Sequence, residues 1–268
     1  MKIPIYDTQK KKTGDSELPV QFSESFRPDL IKRAVLAIQS SERQPYGSHV
    51  GAGKRYSSTV SHRRRDYRGA YGFGISRVNR KVLSRRGTRM FWVGATSPHT
   101  VGGFRAHPPK IEKVWDQKIN TKENQKAIRS AIGATVDTSI VAARGHKVPL
   151  EYPFVIASGV EAVAKTQEVM AILKALGFEL ELERTSQSKV RAGKGKIRGR
   201  RYVTKKGLLI VVSEICPLSK AAVNIPGVDV VVVSALNAQV LAPGTLPGRI
   251  TLWSQKAVEV LEKTRLFC

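Results

Sequence analysis

Cysteine is nearly absent. Two thiols in 268 residues, Cys216 and Cys268, cannot build a disulfide framework or a cysteine-based zinc cluster. Cys216 ends an apolar run and is expected to pack in the core, whereas Cys268 is terminal and cannot serve as a prenylation box. Long apolar stretches are missing too. No run approaches the roughly 18–20 residues that span a bilayer, and Met1 to Lys12 has no signal-peptide-like apolar segment. No basic amphipathic helix or lipidation signal points to a membrane surface. The expected location is therefore the cytoplasm, without membrane contact. Acid is the third scarcity: 21 Asp and Glu face 46 Lys and Arg, a formal net charge of +25. So large an excess opposes compaction in a free soluble enzyme, and dense phosphate is the partner that relieves it.

Catalytic signatures are equally thin. Gly51-Ala52-Gly53-Lys54 invites a phosphate-loop reading, but Ser48 stands where the first glycine is required and Arg55 where Ser or Thr must follow the lysine. Gly72-Phe73-Gly74 lacks the third glycine of a dinucleotide fingerprint and follows no credible strand. The histidines, His49, His62, His99, His107 and His146, have no metal-ligand spacing to one another or to a carboxylate. No catalytic role, metal or cofactor is expected. The competing reading, an RNA-modifying or nucleotide-using enzyme, would need a cofactor loop at a strand end, and none is seen.

What the chain has is basic charge in two blocks. Residues 43–110 hold 15 Lys and Arg against one acid, Asp66, with ten of the 22 glycines and four of the five histidines. Apolar residues occur there without a sustained helical or strand period. A structureless loop of this length is improbable inside a compact domain, so the segment is read as an arm ordered by a polyanionic partner. The second block, residues 186–206, has nine Lys and Arg, no acid, and Gly193, Gly195 and Gly199 between the charges. Glycine lets backbone N–H groups approach phosphate closely while the cations neutralise it.

The flanking sequence alternates like an α/β fold. Leu30, Ile31, Ala34, Val35 and Ile38 lie on one helical face behind Pro28, and Asn120 with Glu123 has the form of a capping box ahead of Ala127, Ile128, Ala131, Ile132 and Val136. Phe154 to Ala157, Leu208 to Val212, Val228 to Val233 and Ile250 to Trp253 read as strands, the middle two covered on both faces. Thr166 to Leu176 predicts a helix stopped by Gly177, Pro217 to Val223 a short helix, and Ser254 caps a last one. The expected architecture is a single α/β sandwich domain with a mainly parallel sheet, residues 1–42 and 111–268, carrying a long extended basic loop insertion, residues 43–110.

Four stretches then converge on a family. FSESFRPDLIKRAVLAIQS (Phe22 to Ser40, then QPYG), VGGFRAHPPKIEKVWDQKIN (Val101 to Asn120, then AIRSAIGAT), KVRAGKGKIRGRRY (Lys189 to Tyr202) and LNAQVLAPGTLPGRITLWSQKAVEVL (Leu236 to Leu261) span nearly the whole chain. In this order and spacing the chain resembles the universal ribosomal protein four family of the large subunit, of the archaeal and eukaryotic type. The short C-terminus, without a long basic tail, looks more archaeal.

The resemblance implies a structural role in the large ribosomal subunit. It implies binding to large-subunit ribosomal RNA early in assembly, and an extended loop that helps line the nascent-peptide exit tunnel. Partners would be that RNA, neighbouring ribosomal proteins including the other tunnel-loop protein, and the nascent peptide, with no homo-oligomer. Any Mg2+ would be shared with RNA phosphates. The RNA-binding candidates in the arm are Arg43, Lys54, Arg55, Arg63, Arg64, Arg65, Arg68, Arg77, Arg80, Lys81, Arg85, Arg86, Arg89, Arg105 and His107. Those in the second loop are Lys189, Arg191, Lys194, Lys196, Arg198, Arg200 and Arg201. The glycine-rich tip falls near residues 67–77, with Tyr67, Arg68, Tyr71, Gly72, Phe73 and Gly74 as the tunnel-lining candidates. Their rings are placed either to stack on unpaired bases or meet a passing peptide, or to fill gaps between RNA helices. Phe73 and Ile75 are bulkier than the family's usual tip, and Met90, Phe91 and Trp92 form an apolar knot in the return limb.

Overall fold

The computed structural model describes residues 1–268 except Ser57, Thr59, Arg68 and Thr88. Arg68, a candidate for both the RNA-binding set and the tip, thus lies outside the described residues. The strands are β1 (Lys2–Tyr6), β2 (Lys12–Glu17), β3 (Arg80–Arg86), β4 (Arg89–Gly94), β5 (Val155–Ile156), β6 (Lys189–Val190), β7 (Tyr202–Val203), β8 (Leu209–Val212), β9 (Asp229–Val232) and β10 (Thr251–Ser254). The helices are α1 (Pro28–Ser41), α2 (Thr121–Val136), α3 (Thr138–Ala143), α4 (Thr166–Ala175), α5 (Glu179–Ser186), α6 (Pro217–Ala222), α7 (Ala238–Leu241) and α8 (Gln255–Lys263). The chain forms two compact units, one of residues 1–42 and 116–268, the other of residues 43–115. Among the described residues no helix is long and apolar enough to cross a membrane.

The first unit is an α/β domain on a mainly parallel sheet, ordered β2-β1-β5-β10-β8-β9. Only β1 and β2 pair antiparallel. β8 is buried at every position, as a strand covered on both faces must be, and β10 likewise. Each Leu or Val so buried contributes about 1.5–3 kcal/mol of transfer free energy. Helices α1, α2 and α7 pack on one another, and α4 packs on α6. Ile31, Ala34 and Val35 of α1 face Ala127, Ile128, Ala131 and Ile132 of α2 within one core.

Two local expectations need correction. β1 and β2 went unread because Pro4 breaks the apolar alternation around Ile3 and Ile5. The proline is tolerated because it precedes the part of β1 that pairs with β5, which begins at Ile5. Asn120 makes no side-chain cap to α2. Glu123 instead accepts from Arg33 on α1 at 2.7 Å, so tertiary charge pairing replaced the local box. Cys216 does pack against the core but is only partly buried, and at the start of α6 its backbone N–H donates to Ser219 Oγ at 3.2 Å. Elsewhere the local chemistry acts as read: Gly177 stops α4 at φ 91°, and Ser254 Oγ accepts from Ala257 N at 3.1 Å.

Candidate nucleic-acid interface

The second unit is not without regular structure, contrary to the sequence reading of its residues. β3 and β4 form an antiparallel hairpin, turning through Gly87 at φ 53°. Its register shifts between Val82 and Ser84, a bulge that bends the strand and redirects its side chains. Along β4 the half-buried residues are Met90 and Trp92, alternating with exposed Arg89, Phe91 and Val93. This two-residue period was present in RMFWV but too short to stand out among arginines. The unit buries few side chains, among them Ser58, Val60, Ala70, Ala95 and Ser97.

Guanidinium groups pack on rings throughout this unit. Arg77 lies 4.3 Å from the Tyr71 ring centre, Arg85 5.0 Å from Tyr67, Arg89 5.1 Å from Phe91, and Arg80 5.6 Å from Trp92. Arg43 and Lys113 both sit over Trp115, at 4.0 and 4.3 Å. Such contacts hold flat cations on apolar faces while leaving N–H donors available. Among the described residues every ion pair lies in the first unit, so these arm cations are not neutralised by carboxylates. Arg43, Lys54, Arg55, Arg63, Arg64, Arg65, Arg77, Lys81, Arg85, Arg86, Arg89, Arg105 and His107 are exposed, and Arg80 is half-buried.

Asp66, the lone acid of residues 43–110, is used internally. Its carboxylate accepts from Ser61 Oγ at 2.7 Å and from the Tyr67 N–H at 2.8 Å. These bonds, led by the one from Ser61, hold it below the usual aspartate range. The turn so formed faces a cavity of about 590 Å³ lined by residues of the 65–75 segment and of the hairpin. The sequence had singled out Tyr67 and Phe73, but not their meeting with Met90 and Trp92. At the tip, Gly72 and Gly74 take φ of 84° and 69°, a region that side-chain-bearing residues rarely adopt.

The second basic block is a hairpin, β6 with β7, closed by a short turn of residues 193–198. Lys189, Lys194, Lys196, Arg198, Arg200 and Arg201 are exposed. Arg191 differs: its guanidinium donates to the Arg200 and Tyr202 carbonyls, at 2.9 and 3.3 Å, and braces the loop from inside. Gly195 lies close beside it: a Cβ there would come within 2.6 Å of Arg191 Cδ, so the arginine side chain would have to shift.

The base of this loop is anchored by a buried polar cluster that the sequence did not reveal. Arg249, 1% exposed, donates to the carbonyls of Gly207 at 2.8 Å and Val240 at 3.0 Å, and to Asp229 Oδ2 at 2.5 Å. Lys206 also pairs with Asp229, at 2.9 Å. Glu181 accepts two bonds from Arg184, one from His146 Nδ1 and one from the Lys147 N–H. Burial alone would raise the Glu181 pKa, but those bonds outweigh it and hold it at about 2. Burial lowers the His146 pKa against the opposing pull of Glu181, so the ring is neutral, with Nδ1–H donating to the carboxylate. Arg184 also donates to the Lys206 carbonyl at 2.8 Å, tying α5 to the loop's end.

At the carboxyl ends of the parallel strands, where open α/β sheets hold ligands, the space is filled. Glu161 accepts from the N–H and Oγ of Ser213, at 3.0 and 2.9 Å, and from Ser254 Oγ at 2.5 Å. A cavity of only about 10 Å³ remains beside it, about one water's worth.

Comparison with known proteins agrees in family. Residues 16–264 match the model of the ribosomal protein L4/L1 family. The chain is 49% identical over its full length to the large ribosomal subunit protein uL4 of Nanoarchaeum equitans, covering all of that protein. It is 45% identical to the protein of the same name from Archaeoglobus fulgidus, over 97% of this chain and 98% of the other. With that of Pyrobaculum aerophilum it shares 45% identity over 97% and 89% of the two chains.

Proposed function

The chain belongs to the ribosomal protein L4/L1 family, structural constituents of the large ribosomal subunit, and from that premise we propose that it works as a cytoplasmic RNA-embedded scaffold. Residues 43–110 and the 186–206 loop would be its two RNA-binding elements, acting early in subunit assembly. The observation that carries this is the set of exposed arm cations that, among the described residues, have no carboxylate ion pair and in part pack on aromatic faces, together with a second acid-free loop in the other unit. Contacts would fall mainly on phosphates and 2′-hydroxyls, with RNA shape rather than base edges conferring most selectivity.

The tip, with Tyr71, Gly72 and Gly74, would approach the nascent peptide beside the other tunnel-loop protein. Support for this finer assignment comes from the family resemblance and from the glycine-permitted turns. The enzymatic alternative is disfavoured, since Glu161 and its serine partners occupy the crevice where a sheet-end cofactor would sit.

The test is RNA affinity against salt. If about ten phosphates are neutralised, log affinity for structured large-subunit RNA falls with log salt at a slope of roughly −9. Replacing Arg63, Arg64 and Arg65 together by Ser makes the slope shallower by roughly 2–3. An affinity indifferent to salt would overturn the proposal.

A further inference from the structure

Resting on the RNA-binding reading above, we propose that the cavity between the 65–75 segment and the β3–β4 hairpin receives a single unstacked RNA base. Its lining joins Tyr67, Phe73, Ile75, Met90 and Trp92 with Arg65, Arg85 and Arg89. The volume, about 590 Å³, lies within the roughly 300–1,000 Å³ of small-molecule sites and far exceeds what packing defects leave. Its chemistry is the mixture that single-stranded nucleic acid requires: ring faces for a base and cations for the phosphates on either side of it.

Three observations favour a base over other occupants. Among the described residues the arginines at this cavity, Arg65, Arg85 and Arg89, have no carboxylate ion pair, and the acid lining it, Asp66, is already engaged by Ser61 and Tyr67. The cavity therefore carries net positive charge that a nucleotide's phosphates complement. Phe73 is 69% exposed although it lies on an apolar wall, so the free protein leaves a large ring face in water that a base would cover. Met90 and Trp92, two positions apart on β4, lie half-buried on one face of the strand, so the hairpin offers the cavity a wall of two large side chains. Phe73, Ile75, Met90 and Trp92 thus share one role: together they wall the base pocket.

The test compares two short single-stranded oligoribonucleotides of equal length, one intact and one abasic, binding to the full-length protein at fixed salt. The intact strand should bind more tightly. Phe73→Ala should reduce intact-strand affinity roughly tenfold, within the range of one ring–base stack, and leave the abasic strand unaffected. Phe73→Tyr should restore the difference. Because Phe73 is largely exposed, neither variant endangers folding. Equal binding of the two strands, or a difference that survives Phe73→Ala, would overturn the pocket while leaving phosphate binding intact. Loss of binding to both strands would overturn the RNA-binding reading itself. In assembled large subunits, a photo-crosslinking residue at position 73 should form adducts with RNA; adducts with the nascent peptide instead would refute the assignment.

Discussion

Replacing Arg249 by Met tests whether the buried cluster anchors the second basic loop. The methionine keeps the aliphatic bulk but removes every donor. The Gly207 and Val240 carbonyls, accepting at 2.8 and 3.0 Å, lose their guanidinium partners in a buried setting. Each loss costs about 1 kcal/mol. The 3.4 Å bond to Leu208 is too long to add much. Breaking a fully buried ion pair costs about 3–5 kcal/mol, but Asp229 is a third exposed and keeps Lys206 at 2.9 Å, so its share here is about 1 kcal/mol. The sum is about 3 kcal/mol. For a unit of this size that lowers Tm by roughly 6–12 °C. Calorimetry with urea titration at constant m gives the value. RNA affinity should fall as well, since Gly207 directly follows the loop. A variant within about 1 kcal/mol of the parent would show that the cluster is not what holds the loop base.

Three further outcomes follow from the same geometry. Stability should decline on acidification in two steps: the folded His146 pKa is depressed, so its contribution is complete above the unfolded value near 6.5 and is lost as pH falls through the folded one. Glu181, held at about 2, adds a second loss below its unfolded value as pH falls toward that figure. Urea unfolding between pH 8 and pH 3 reads both, and His146→Gln should flatten the upper step alone. Glu161→Gln replaces one carboxylate oxygen with a donor facing the serine donors and should destabilise by about 2 kcal/mol; an unchanged urea midpoint would contradict the bonding described. Free in solution, residues 43–110 should be cleaved by trypsin before the α/β unit, because few side chains there are buried, whereas equal protection of both units would argue against it.

The parts of the fold that could be read in advance were those where local chemistry and burial agree. The run LLIVV and the Ile31, Ala34, Val35 stripe announce their elements because the same residues set both the period and the core. The arm hairpin escaped notice because arginines interrupt its alternation, and its pairing depends on a turn at Gly87 rather than on any apolar run. The capping box at Asn120 misled for the opposite reason. Its residues fit the local pattern, but Arg33, ninety positions away, offered Glu123 a charged partner.

Composition and spacing were enough to determine a strongly basic chain with an α/β domain, since charge excess and hydrophobic period are properties of the residues in order. Long-range pairing decided the rest. Only the folded chain brings Arg249 to Asp229, Glu181 to His146, and Phe73 to Trp92, across separations of 20, 35 and 19 residues. Energies of buried polar contacts depend on which groups meet away from water, and that choice is made by the packing of elements rather than by any local stretch.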